Sequence, residues 1–157
     1  MQQVDKTVVF ESGHEEYAVP IESVISIEKV PSIQPIPHLP LYMKGVVKVR
    51  DELIPVIDFE YVLYNKSLSN LDEARLLVIQ TKFLAVGFLV KDAKEIISVP
   101  EQSLRQVGLV AYSKTKYFSA VANLDNRLVT IIDPEVLVSS LDGMKEIQEF
   151  MMSYTAE

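Results

Sequence analysis

The residues in this chain best equipped for chemistry are two aspartates, two histidines and a scatter of hydroxyls. Asp58 and Asp133 stand 75 positions apart. Each ends an apolar run and opens a segment suited to a helical turn, Asp58-Phe59-Glu60 and Asp133-Pro134-Glu135. A pair of carboxylates can serve as acid and base, as in glycoside hydrolysis. A carboxylate just before a helical turn more simply accepts backbone N–H bonds as an N-cap, and the proline after Asp133 suits the first helical position. Capping is therefore expected for both. His14 adjoins Gly13 in a turn and His38 lies among prolines. Neither has a second histidine or a carboxylate at ligand-like helical spacing, so no metal site is expected, because such sites need several convergent ligands.

Other catalytic arrangements are missing. The five glycines form neither G-x-G-x-x-G nor a phosphate-binding loop, and no G-x-S-x-G or H-E-x-x-H occurs. The absence of cysteine removes disulfides, thiolate metal sites and a cysteine nucleophile, and fits a reducing compartment. Lys114-Thr115-Lys116 reads as a solvated basic turn, and Met43, Met144, Met151 and Met152 as core filling. No catalytic residue and no cofactor are expected. An enzyme whose site gathers distant Asp, Glu and Lys residues is the alternative.

The elements that would position any site are mostly strands. Short β-branched runs bounded by turn formers are the pattern of a β fold. Thr7-Val8-Val9-Phe10 turns at Ser12-Gly13 into Tyr17-Ala18-Val19-Pro20-Ile21, and Val24-Ile25-Ser26-Ile27 follows with Ile25 and Ile27 on one face. Pro31, Pro35, Pro37 and Pro40 then make a stiff loop. Gly45-Val46-Val47-Lys48-Val49-Arg50 and Leu53-Ile54-Pro55-Val56-Ile57 form a hairpin across Asp51-Glu52. Later strands are expected over 75–80, 83–90, 95–99, 118–122 and 128–132, the last two turning at Asp125-Asn126. A helical segment over 134–154 closes the chain, divided near Gly143, with Ile147, Phe150, Met151 and Tyr154 at helical spacing.

A repeat organises these strands. Shifting the chain by 75 positions lays residues 47–62 on 122–137, so that Leu53 meets Leu128, Ile57 meets Ile132, Asp58 meets Asp133 and Glu60 meets Glu135. At a slightly shorter offset Ala18-Val19 matches Ala85-Val86. Each half reads as five strands in the same order. An all-β fold of two small barrels packed together is the natural result, since closure removes exposed edges.

The 157 residues suit one domain or a pair of half-domains that fold together. A net charge of -7 and a pI near 4.9 disfavour nucleic acid and anionic lipid as partners. No apolar run approaches the roughly 18–20 residues of a membrane span, and Met1-Gln2-Gln3-Val4-Asp5 lacks a signal-peptide start, so a cytoplasmic protein without membrane insertion is expected.

One stretch stands out. Pro40-Leu41-Tyr42-Met43-Lys44-Gly45-Val46-Val47 combines a stiff entry with a glycine that permits close backbone approach, and Arg50 ends the strand beside Asp51 and Glu52. An arginine at the rim of an apolar face is a frequent interface anchor. Local pairing with Asp51 or Glu52 is the plainer alternative.

This stretch resembles the CheW-like coupling proteins of bacterial chemotaxis. Their pattern P-x-x-x-x-G-V, N-x-R-G, P-V-x-D and D-E-x-R is similar to Pro40 through Val46, Lys48-Val49-Arg50-Asp51, Pro55-Val56-Ile57-Asp58 and Asp72-Glu73-Ala74-Arg75. The resemblance implies one domain over 6–141, with a first five-stranded SH3-like barrel about 7–65 and a second about 74–133 around a shared core. Strand exchange between them is allowed. It further implies a non-catalytic adaptor joining methyl-accepting chemotaxis receptors to the histidine kinase CheA, associated through these partners with membrane receptor arrays. A related adaptor of a non-flagellar pathway, such as surface motility, is an alternative. The implied receptor groove comprises Val24, Ser26, Gly45, Val46 and Arg50, with Ser26 at a position that often carries an acid. The kinase-binding residues are not assignable from the motif. Lys48 and Asp51 replace the family's Asn and Gly.

Overall fold

The computed structural model describes residues 5–105 and 116–155. Its strands are β1 (Asp5–Ser12), β2 (Glu15–Pro20), β3 (Val24–Lys29), β4 (Met43–Val49), β5 (Glu52–Asp58), β6 (Arg75–Gln80), β7 (Ala85–Val90), β8 (Asp92–Val99), β9 (Leu104–Arg105), β10 (Phe118–Leu124) and β11 (Arg127–Ile132). Three α-helices, α1 (Phe59–Tyr64), α2 (Pro134–Ser140) and α3 (Met144–Thr155), and two short 3-10 turns, Ile21–Ser23 and Glu101–Ser103, complete the described elements. The chain is mostly β, as its β-branched runs require.

Two sheets result, one ordered β3-β6-β7-β5-β4 and the other β8-β1-β2-β11-β10-β9. Each draws on both halves of the chain. The β1–β2 hairpin leaves β3 behind and pairs in parallel with β11, while the β6–β7 hairpin inserts between β3 and β5, again with one parallel pairing. The two parallel registers are equivalent: Val56 faces Gly87, and 75 positions later Ile131 faces Ala18. The repeat thus aligns Ala18 with Gly87, two positions on from the Ala85 match read in the sequence. Backbone bonds repeat as well, because Asp58 N–H donates to the Tyr42 carbonyl and Asp133 N–H to the Tyr117 carbonyl, both at 2.8 Å.

Strands buried on both faces explain the nearly continuous apolar runs. Along β6, Leu77 and Ile79 enter the central cluster between the sheets, while Leu76 and Val78 enter a second cluster with Val47, Ile54 and Val56. In the other sheet, Val8 and Phe10 face the centre and Val9 joins Ala18, Ala122 and Val129 on the far side. At the centre, Phe10 and Phe59 meet edge to face at 5.0 Å, with Tyr17, Phe88 and Phe118 packed around them. Each such buried side chain contributes about 1.5–3 kcal/mol. Arg127 ties three strands together, with Nε donating to Glu16 Oε1 at 2.9 Å and a terminal nitrogen 2.8 Å from Glu95 Oε2.

Several local expectations shift. Ile25 and Ile27 do share a face of β3, but the outer one, at 45% and 42% exposure. Phe83 belongs to the β6–β7 turn, where Thr81 Oγ1 accepts from the Phe83 and Leu84 N–H groups, so β7 begins only at Ala85. Of the four methionines expected to fill the core, Met43, Met144 and Met151 do so, whereas Met152 is 62% exposed. Lys114 and Thr115 of the basic turn, and the Tyr154 side chain, lie outside the described residues.

Tyr42 gives the fold an alkaline limit. Its hydroxyl donates to the Asp142 carbonyl at 2.5 Å. Burial first, and then the Asp142 and Glu146 carboxylates, push the phenol from its ordinary 10.0 up to about 12. The folded state thus favours the protonated form, so this contribution is whole below pH 10 and lost as pH rises towards 12. Denaturant midpoints are expected to hold steady up to that window and fall through it, with a shallower decline in Tyr42→Phe. An identical decline in both proteins would contradict this.

Candidate docking site

Asp58 and Asp133 act as caps. Asp58 is fully buried, and its Oδ1 accepts the Tyr61 N–H at 3.2 Å while Oδ2 accepts the Leu68 N–H at 2.9 Å. Lys44 Nζ stands 3.6 Å from Oδ2. Asp133 Oδ1 accepts the N–H groups of Glu135 and Val136 at 3.0 and 3.2 Å. Both carboxylates hold helix starts, and Asp58 also holds the Leu68 N–H of the following segment. A further acidic cluster, Glu11, Asp72, Glu73 and Asp92, is interleaved with Lys29, Arg75 and Lys91. Among the described residues no group of three or more His, Asp or Glu side chains could hold a metal ion.

Arg50 occupies a tight turn. Val49 pairs with Glu52, leaving Arg50 and Asp51 as the two central residues at φ 52° and 69°. Positive φ at both centres defines a type I′ turn, whose twist suits a two-residue hairpin and which asparagine, aspartate and glycine tolerate best. The turn therefore sits one residue earlier than the Asp51-Glu52 expected from the sequence. Arg50 projects outward, its side chain 70% exposed, and pairs with neither Asp51 nor Glu52. Its terminal nitrogen lies 3.5 Å from Glu28 Oε2 on β3.

The other four predicted residues take different places. Val24 and Ser26 are half-buried on the inward face of β3, opposite Ile79 and Val78 of β6. Val46 is 6% exposed and belongs to the central cluster. Gly45 has φ +142°, and a Cβ there would lie 2.2 Å from the Gln34 carbonyl oxygen. The close approach suggested by this glycine comes from the chain's own proline-rich loop, which exchanges two 2.9 Å backbone bonds with Val46. Arg50 is four residues beyond Val46, roughly 13 Å along an extended strand. The five residues thus do not converge on one point. Val24 and Ser26 lie on β3 and Gly45 and Val46 on β4, at opposite ends of the strand order β3-β6-β7-β5-β4, and Arg50 follows the end of β4.

A separate open groove of about 190 Å³ has none of these five residues in its lining. Leu53 and Pro55 of β5, Phe83 and Leu84 of the β6–β7 turn, and Met151 and Met152 of α3 form its apolar walls, with Glu52 at the rim. Phe83 is 55% exposed. The sequence reading missed this surface, which combines three segments distant in the chain. The available signal was Phe83 itself, a large aromatic following Thr81-Lys82 at a turn.

The CheW-like domain family matches residues 6–142. The chain belongs to that family. The chemotaxis protein CheW of Bacillus subtilis is 29% identical over 146 residues, covering 92% of this chain and 94% of the relative. The probable chemotaxis protein CheW of Rhizobium etli is 26% identical, covering 91% and 94%. In three dimensions the chain is similar to the crystal structure of the scaffolding protein TtCheW of Thermoanaerobacter tengcongensis, with a TM-score of 0.80, 26% identity, and coverage of 90% and 96%. A CheW-like domain is a non-catalytic adaptor for chemotaxis signalling, and the enzyme alternative is not favoured. No helix among the described residues is long and apolar enough to cross a membrane.

Proposed function

We propose that this CheW-like chain joins the cytoplasmic tips of methyl-accepting chemotaxis receptors to the histidine kinase CheA, and that it resides in the cytoplasm at receptor arrays. The supporting observation is the CheW-like domain match over residues 6–142, together with an open apolar groove between β5, the β6–β7 turn and α3. Such a groove suits an amphipathic helix, which lays spaced apolar side chains into it. Arg50 is the direct polar contact in this reading, and Val24 and Ser26 of β3 are the further receptor-facing residues. Gly45 and Val46, both buried, hold the strand that carries it. We take residues 6–141 as one folding unit, because each sheet needs strands from both halves. The kinase-binding surface is not assigned.

Co-sedimentation with receptor tips and CheA, followed by kinase autophosphorylation with and without the chain, tests the coupling. Retention of neither partner together with unchanged kinase activity would end the proposal. Arg50→Ala is expected to weaken receptor-tip binding by about 3–10-fold, the scale of a moderate interface anchor. Its melting temperature should stay near the wild-type value, since the side chain is mostly exposed. Undiminished receptor affinity would remove Arg50 from the site.

A further inference from the structure

We infer that the cavity between the β1–β2 turn and α1 is a binding site for a guanidinium group, with Glu60 as its carboxylate and Tyr64 as its aromatic wall. The cavity measures about 490 Å³. It shares no lining residue with the groove at Phe83 and does not include Arg50.

The internal repeat supplies the first argument. Glu60 and Glu135 hold the same place in the two Asp-x-Glu segments, and each reaches a hairpin turn of the opposite sheet. The residues they reach, Gly13 and Lys82, each lie five positions before the aligned pair Ala18 and Gly87. Glu135 commits both oxygens there: the Lys82 N–H donates to Oε1 at 3.1 Å and to Oε2 at 2.9 Å. Glu60 accepts only the Gly13 N–H, on Oε1 and at 3.4 Å, beyond the roughly 2.7–3.2 Å of an ordinary N–H···O bond. Its Oε2 has no partner among the described residues. Glu60 is nevertheless only 9% exposed, and it lines the cavity. A carboxylate so enclosed calls for a group that replaces its lost hydration. The fully held Glu135 shows that this fold can satisfy a glutamate at the same place.

The second argument is the chemistry of the wall. Tyr64 lies four residues after Glu60 on α1, hence on the same face of the helix. Its ring packs on the β1–β2 turn, where a Cβ on Gly13 would stand 2.8 Å from Tyr64 Cε2. Its hydroxyl meets that of Tyr17 at 2.5 Å, which holds the ring in place. A flat guanidinium can stack on such a ring and donate two parallel bonds to the neighbouring carboxylate. In the second half of the repeat Ser139 stands where the first has Tyr64. The ring and the open oxygen are therefore both peculiar to this cavity.

Charge gives the third. Glu15 and Glu73 join Glu60 in the lining, opposed by Lys66 and Lys91. Lys91 is already engaged, with Nζ 3.4 Å from Glu11 Oε2 and donating to the Gly13 carbonyl at 3.3 Å. The carboxylates outweigh the remaining lysine, which favours a cation. Small solutes and arginine side chains both carry a guanidinium, and the test separates these sources.

The probes are butylguanidinium and butylammonium, titrated into the isotope-labelled full chain and followed by NMR. Butylguanidinium is expected to give saturable shifts at the Gly13, Glu60 and Tyr64 amides, with a Kd on the order of 1 mM. Butylammonium lacks the planar fork and should bind about 3-fold or more weakly. Glu60→Gln should weaken butylguanidinium binding by about 10-fold or more, and Tyr64→Leu by about 3-fold. Glu135→Gln, the same change at the matching place, should stay within about 1.5-fold of wild type. The amide spectrum of each variant reports its folding, so a lost site is distinguished from a lost fold. Absence of saturable shifts at these amides, or an unchanged Kd in folded Glu60→Gln and Tyr64→Leu, would overturn the inference. Saturating butylguanidinium is then added to the receptor-tip and CheA binding assays, with butylammonium as the ionic control. Weakened binding of one partner assigns the guanidinium to an arginine of that partner, and unchanged binding of both assigns it to a free solute.

Discussion

Gly45→Ala is expected to destabilise the fold by about 3 kcal/mol or more, the scale reserved for backbone strain combined with overpacking. Two effects coincide at this position. The backbone has φ +142°, which L side chains rarely adopt, and the added carbon would stand 2.2 Å from the Gln34 oxygen, 2.8 Å from its carbonyl carbon and 2.9 Å from Pro35 Cα. All three obstacles are backbone atoms, so no rotamer change relieves them. The proline-rich loop would have to lift from β4, breaking the paired bonds between Gln34 and Val46. In a domain of this size that cost corresponds to a fall of roughly 6–12 °C in melting temperature. Gly143→Ala provides the comparison. Its φ of +83° is also unfavourable, but the nearest obstacle is Pro40 Cγ at 3.1 Å, part of a side chain. A loss of about 1 kcal/mol is expected there. Similar losses at the two glycines, read by denaturant titration, would refute the account of Gly45. Because the strain acts beneath the strand that carries Arg50, loss of receptor binding in Gly45→Ala would report on folding before it reported on contact.

Asp58→Ala and Asp133→Ala should differ in the same direction, despite their equivalent places in the repeat. Removing Asp58 is expected to cost about 3 kcal/mol and removing Asp133 about 1 kcal/mol. Asp58 joins separate parts of the chain: one oxygen caps α1, the other holds the Leu68 N–H from the segment leading to β6, and Lys44 of β4 stands beside it. Its side chain is fully buried, so alanine would leave those groups without a partner in a site water reaches poorly. Asp133 holds only N–H groups of its own helix. Comparable losses at both positions, measured in the same denaturant series, would show that the caps alone account for the effect.

Local features were legible from residue types. The strands, the stiff proline loop, the two caps and the 75-residue repeat follow from short-range rules: β-branched runs, turn formers, a proline after Asp133, and coincident Asp-x-Glu endings. The resemblance in motif order pointed to the family that the comparisons establish. Arg50 follows Val49, the last residue of β4, in a turn that lies one residue earlier than the local pattern suggested. Asp51 has no glycine's freedom, and only the pairing of Val49 with Glu52 reveals that it must take positive φ.

Other features depended on distance in the chain. Several strands have similar apolar patterns, so nothing local states that β1–β2 pairs with β11 or that β6–β7 enters beside β5. That exchange is selected because it gives each sheet two apolar faces to bury, one in the shared centre and one on its own far side. The neighbour of Gly45 is Gln34, eleven positions back, and the partner of Arg50 is Glu28 rather than the adjacent acids. The groove draws Leu53, Phe83 and Met152 from three elements. Backbone preference and capping act over a few residues and are written in the order of the chain, which is why the strands, the repeat and the caps could be read there. Burial and charge pairing act across space, so the pairing of the sheets, the Arg50–Glu28 ion pair and the open groove arose only when the fold brought those residues together.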